Sequence, residues 1–138
     1  MRGEYRHAID AKNRIFLPAK LREALGDNVV ISKGTDKCVN VYSEEKWEEF
    51  EKKINDLPAF KARSVKLWMH AFAFDATVDV QGRIAIPQKL REYAGLEKAI
   101  VSIGVDDHME IYNEDLYDAT IGNMDPKEVE SILIELGM

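Results

Sequence analysis

An internal repeat constrains this chain more than any other feature. The stretch "DAKNRIFLPAKLR", Asp10 to Arg22, returns 69 residues later as "DVQGRIAIPQKLR", Asp79 to Arg91. At that offset Asp10, Arg14, Ile15, Pro18, Lys20, Leu21, Arg22, Glu23 and Gly26 recur as Asp79, Arg83, Ile84, Pro87, Lys89, Leu90, Arg91, Glu92 and Gly95. At an offset of 70 the echo continues, with Gly34, Asp36, Tyr42 and Glu44 matching Gly104, Asp106, Tyr112 and Glu114. Stacked solenoids need three or more units, so two copies are too few for one. Each half of a 138-residue chain would also hold only a marginal core by itself. The repeat therefore points to an intramolecular pseudo-dimer.

Each copy parses in the same way. Ile9 and Ala11, or Val78 and Val80, alternate as in a strand with one buried face. A corner follows at Lys12-Asn13 or Gln81-Gly82, where Asn and Gly both accept positive φ. A second alternating strand holds Ile15 and Leu17, or Ile84 and Ile86. Pro18 or Pro87 then opens a short helix at its first position, and Gly26 or Gly95 closes it with a left-handed cap. A strand pair and a further helix complete the unit, the helix starting behind Ser43 or Asn113. Between the copies, Ala59 to Phe72 reads as a linking helix with Phe60, Leu67 and Ala71 on one side, and with His70 and Trp68 packed. Asp125-Pro126 opens a terminal helix whose Val129, Ile132, Leu133 and Leu136 form an apolar stripe. The stripe packs on its own domain or serves as a subunit contact. The fold class is α+β, divided into repeat 1 over 5–47, linking helices over 48–75, repeat 2 over 76–119, and an acidic helical segment over 120–138.

Net charge is −6, which by itself argues against a polyanionic partner. Its distribution reverses that argument. Residues 1–22 carry six Lys and Arg against two acids, and residues 61–91 repeat that balance. Residues 106–138 carry one Lys against ten acids. Local charge decides where a polyanion docks, and each copy of the repeated phrase lies in a basic segment.

"MRGEYRHAIDAKNRIFLPAKLREALGD" and its echo "VDVQGRIAIPQKLREYAGLEK" resemble the MraZ proteins, bacterial regulators built from two SpoVT-AbrB-like repeats. The resemblance covers almost the whole chain. It implies interleaved β-hairpins closing a pseudo-two-fold barrel with helices outside, and an octamer-like homo-oligomeric ring. It also implies sequence-specific binding of double-stranded DNA at direct repeats in the promoter of the division and cell-wall gene cluster. That function places the protein in the cytoplasm, at the nucleoid. Asn13 departs from the family's usual Gly, a change the turn tolerates. Gln81 stands where the first copy has Lys12, so the copies are unequal as DNA contacts.

The candidate DNA-binding residues are Arg14, Lys12, Asn13, Arg2, Arg6, Arg22 and Arg83. A guanidinium at the rim of a rigid loop can grip guanine or a phosphate in bidentate fashion, and Lys12 supplies a phosphate contact. The alternative for Arg14 is a structural ion pair with Asp10, repeated as Asp79 with Arg83. The resemblance favours DNA for Arg14 and the ion pair for Arg83. Asp10, Pro18, Gly26, Asp79, Gly82, Pro87 and Gly95 are structural motif residues. His7 is placed on the basic side.

Enzyme readings find little support. His7, His70 and His108 lack any metal-ligand spacing, and neither a nucleophile elbow nor a P-loop is present. The single cysteine, Cys38, allows no internal disulfide or Cys-based zinc cage. No catalytic residue, metal, cofactor, small-molecule substrate or membrane contact is expected. A rival reading is an antitoxin-like protein-interaction module that covers its partner with the acidic C-terminal segment.

Overall fold

The computed structural model describes residues 1–138. In chain order the elements of the first half are β1 (Arg2–Ala8), β2 (Arg14–Phe16), α1 (Ala19–Leu25), β3 (Asn28–Lys33), β4 (Val39–Ser43), α2 (Glu44–Asn55) and α3 (Ala59–His70). The second half holds β5 (Phe74–Thr77), β6 (Arg83–Ala85), α4 (Gln88–Ala94), β7 (Ala99–Val105), β8 (His108–Asn113), α5 (Glu114–Ala119), a 3-10 turn (Ile121–Asn123) and α6 (Pro126–Glu135).

Local chemistry explains where the elements begin and end. Asp10 and Asp79 stop β1 and β5 short of the residues expected to extend them. Their side chains capture backbone amides two and four residues ahead, in competition with a strand ladder. Val80 is therefore almost fully exposed while Val78 is buried. Pro18 and Pro87 lie at the cap, one residue before the expected first helical position, and Arg22 N donates to Pro18 O at 2.9 Å. Gly95 takes the expected left-handed cap at φ 61, ψ 34. Gly26 does not: φ 79, ψ −170 sends the chain straight into β3, a conformation almost confined to glycine. Ser43 Oγ and Asn113 Oδ1 accept the amides of Lys46 and Leu116, as N-caps should.

The strands form a six-stranded antiparallel sheet, β1-β7-β8-β4-β3-β5, and a separate pair, β2-β6. The two copies exchange strands. β1 of the first copy runs along β7 of the second, from Arg2↔Val105 to Ala8↔Ala99. β5 of the second copy runs along β3 of the first, from Asn28↔Thr77 to Ile31↔Phe74. The short pair joins the copies again through Ile15↔Ile84. The repeated phrase is thus no simple hairpin, because β1 and β2 enter different sheets. Exchange follows from burial: one core holds Ile15 with Ile84, Leu21 with Leu90, Leu17 with Ile86, and Val41 with Ile111. Neither copy could enclose these side chains alone.

Strand register also corrects the repeat alignment. Val30 pairs with Tyr42 and Val101 with Tyr112, so β3 and β7 stand at an offset of 71 while β4 and β8 stand at 70. The second copy has two extra residues between α4 and β7, and one fewer at its hairpin tip. Gly34 consequently lies in a tip, whereas Gly104 lies inside β7 opposite Gly3.

Helices α2 and α3 cover one region of the sheet through Val30, Tyr42, Trp47 and Met69. The buried face of α3 is Ala62 and Met69 rather than the expected Phe60 and Leu67, which are exposed. Apolar residues surround this helix, so periodicity did not select a face, and its contacts with α2 and β3 set the rotation. Its His70 is exposed, and Trp68 is only partly covered. No residue of α6 is buried. No helix is long and apolar enough to cross a membrane.

Candidate nucleic-acid interface

The first Asp loop is a closed local structure. Asp10 Oδ1 accepts the amides of Lys12 and Arg14 at 2.9 Å each, and Oδ2 accepts Arg14 Nε at 2.9 Å. Asp10 N donates to Arg14 O, and Asn13 N to Asp10 O, both at 2.9 Å. Asn13 takes φ 61, the left-handed conformation that Asn tolerates. These bonds, led by the Arg14 amide, hold the Asp10 carboxyl below its ordinary value of 3.8. It therefore stays ionised at neutral pH.

The ion pair with Asp10 and an outward reach of Arg14 are compatible. Only Nε is bound to Asp10, so the terminal amino groups of the guanidinium keep no protein partner. Lys12 is exposed with no carboxylate within 4.0 Å.

The second loop repeats the framework. Asp79 Oδ1 accepts the amides of Gln81 and Arg83 at 3.0 and 2.9 Å, and Oδ2 accepts Arg83 Nε at 2.9 Å. Gly82, at φ 81, takes the place of Asn13. The loops sit at opposite ends of the β2-β6 ladder, roughly 10 Å of strand apart. Each reaches across to the other copy: Ile86 N donates to Asn13 O at 2.9 Å, and Leu17 N to Gly82 O at 2.8 Å. Across the ladder Arg14 faces Ala85, whereas Arg83 faces Phe16, whose ring lies 5.9 Å from its guanidinium carbon.

This crossing redistributes the expected basic residues. Arg22 does not widen the first loop. It lies over the second, where a β-carbon at Gly82 would come within 3.0 Å of Arg22 Nη1. Its counterpart Arg91, which sequence reasoning passed over, stands beside the first loop. Arg91 Nε donates to Ile86 O at 3.1 Å, and the residue shares a shallow depression with Asp10, Asn13, Glu97 and Lys98. Lys98 is also new: its carbonyl accepts Ile9 N at 2.9 Å. At the matching place by the second loop, Val78 N donates to Asp27 O at 2.8 Å. The first loop is thus flanked by a lysine and the second by an aspartate. The repeat alignment exposes Arg91 as the twin of Arg22, but only the strand exchange says which loop each one faces.

Two further candidates lie elsewhere. Arg2 pairs with Val105 at the far end of β1, roughly 20 Å from Ala8. Arg6 is held by acids, with Nη2 2.7 Å from Asp118 Oδ1, Nε 3.0 Å from Glu4, and Nη1 3.7 Å from Glu114. Hydrogen bonding to Asp118 keeps it firmly cationic, yet its charge is locally cancelled. His7 faces Ser102, with Nε2 2.7 Å from Oγ, and burial lowers its pKa. No group of three His, Cys, Asp or Glu is placed to hold a metal ion.

Comparison with known proteins agrees with the repeat. A family model described as "MraZ protein, putative antitoxin-like" matches residues 1–67 and again residues 69–129. The chain is 40% identical over 141 residues to the transcriptional regulator MraZ of Acetivibrio thermocellus, covering 99% of this chain and 98% of that protein. It is 42% identical over 138 residues to the protein of the same name in Lachnoclostridium phytofermentans, covering 99% and 96%. For Ligilactobacillus salivarius the figures are 44% over 119 residues, covering 85% and 83%. With the duplicated loop framework and near full-length similarity both in hand, the chain belongs to the MraZ family.

Proposed function

We propose that this chain is a non-enzymatic transcriptional regulator that binds double-stranded DNA through its first Asp loop. The observation that carries the reading is the unequal charge around two loops of equal build. Lys12, Arg14, Arg91 and Lys98 surround the first against Asp10 and Glu97, while Arg22 and Arg83 at the second meet Asp79 and Asp27. The names of the relatives support regulation of transcription. In this reading the copies over 5–47 and 76–119 interleave into one pseudo-two-fold barrel. The segment 48–75 links them, and 120–138 is a separate acidic helix. Arg14 contacts a base edge or phosphate, with Lys12, Asn13 and Arg91 as positioning contacts. Arg83 and the second loop serve mainly as scaffold.

One loop offers little affinity. A homo-oligomeric ring that presents many copies to direct repeats in the promoter of the division and cell-wall gene cluster gains by effective concentration. The protein then acts in the cytoplasm at the nucleoid.

The test is binding to that promoter fragment by fluorescence anisotropy across a salt series. Arg14→Ala should weaken binding by about 5- to 150-fold, the range of one bidentate contact worth about 1–3 kcal/mol. Arg83→Ala should change it far less. Equal losses, or none, with fold intact would overturn the assignment.

A second reading keeps one specific observation: α6 exposes an apolar face and buries no residue. In an antitoxin-like interaction module this segment would cover a protein partner. Removing residues 125–138 would then abolish a defined complex while leaving DNA binding unchanged.

A further inference from the structure

Two apolar faces of the chain lie open, and they complement each other. The first is a groove between α2 and α3, lined by Ile54, Leu57, Ala62 and Leu67 with Arg63 and Lys66 on its rim. Its volume is about 780 Å³, and Leu67 is 57% exposed. The second is α6, where Ile132, Leu133 and Leu136 are all exposed. The spacing of Val129, Ile132, Leu133 and Leu136 puts them on one stripe. Exposed apolar surface of this extent marks an interaction site.

Size and charge match. The ten residues of α6 span about 15 Å, and the twelve residues of α2 and of α3 each span about 18 Å, so the groove is long enough for the helix. Helix α3 carries Lys61, Arg63 and Lys66 with no acid. Helix α6 carries Glu128, Glu130 and Glu135 against Lys127. On the α2 wall Glu51 lies 3.6 Å from His70 Nε2, while Arg63 and Lys66 have no carboxylate within 4.0 Å. Within one chain the two faces do not meet. The groove has no α6 residue in its lining, and α6 starts instead beside Asp36, Lys37 and Leu116.

We infer that α6 of one copy seats its apolar stripe in the α2–α3 groove of a second copy, with its glutamates against Arg63 and Lys66. Because the donor and acceptor patches differ, the contact is head-to-tail. It generates a ring when the rotation between copies closes. It therefore supplies a subunit contact for the ring described above, and rests on that reading in taking the partner to be another copy.

Sedimentation velocity on the full chain provides the test, with circular dichroism confirming that each variant folds. Ile132→Asp with Leu136→Asp should reduce the oligomer to smaller species. Arg63→Glu with Lys66→Glu should weaken assembly at least 10-fold, and adding Glu128→Lys with Glu130→Lys should restore part of it. In a Cys38→Ser background, a mixture of Leu67→Cys chains and Ile132→Cys chains should form a disulfide between the two variants. An oligomer indifferent to all these changes would leave the ring standing and overturn this contact. A disulfide confined to single chains carrying both cysteines would also overturn it, by showing the helix seated in its own groove. A monomeric wild type would overturn the contact and the ring together, while promoter binding by Arg14 is measured independently.

Discussion

In the first loop Asp10 binds the amides of Lys12 and Arg14 and the Nε of Arg14; in the second, Asp79 binds Gln81 and Arg83 in the same three ways. Corresponding distances differ by no more than 0.1 Å. What surrounds the loops is different. Lys98 and Arg91 border the first, Asp27 and Arg22 the second, and Phe16 flanks Arg83 where Arg14 has only Ala85. Backbone capture by Asp builds the loop, whereas neighbouring charge decides which loop can face a polyanion. Duplication has kept the first property in both copies and the second in one.

The largest effect tests the likeness at its base. Ile15 and Ile84 are fully buried in one core, so Ile15→Ala and Ile84→Ala should each destabilise the protein by about 2–5 kcal/mol in chemical denaturation. A much milder loss from Ile84 would break the view that the copies share a core. Next come the two helix-end glycines. Gly26→Ala places a β-carbon in a glycine-only region and should cost about 1–3 kcal/mol. Gly95→Asn keeps a left-handed cap and should cost less than about 1 kcal/mol.

A smaller difference lies in the salt dependence of DNA binding. Lys12→Gln should reduce the slope of log affinity against log salt by about 0.9 per loop engaged, as one phosphate contact is lost. Gln81→Lys should leave the slope unchanged if only the first loop touches DNA. The smallest expected difference is in acid. The Arg14 and Arg83 amides, as the largest cause, hold Asp10 and Asp79 below 3.8. A depressed carboxyl pKa stabilises the folded state above the ordinary value, and that contribution is lost as pH falls through the depressed one. The amide resonances of Lys12 and Gln81 should therefore shift together, below pH 3.8. Opening of one loop at higher pH would show that the frameworks are not equivalent.

Much of this was legible in the residues. The Asp loop, the positive-φ corner at Asn13 or Gly82, the helices behind Pro18 and Pro87, and the caps at Ser43 and Asn113 are all present as expected. Each depends on groups within four residues of one another, so spacing and side-chain chemistry suffice. Arg6 and Arg22 were misplaced for the opposite reason: Arg6 meets Asp118, and Arg22 meets Gly82, across long stretches of chain. The face of α3 was likewise decided by α2 and β3, because its own apolar pattern offers two sides.

The sequence by itself determined that two copies would each build the same charged loop, and which side chains each loop would carry. Only the tertiary structure decided that Arg91 and Lys98 join the first loop and Arg22 and Asp27 the second. The reason lies in the repeat. Two similar copies present similar strand patterns, so pairing within a copy and pairing between copies are alike in local preference. Closing one core around both copies separates these alternatives, and that closure depends on contacts between residues about seventy positions apart, such as Ile15 with Ile84.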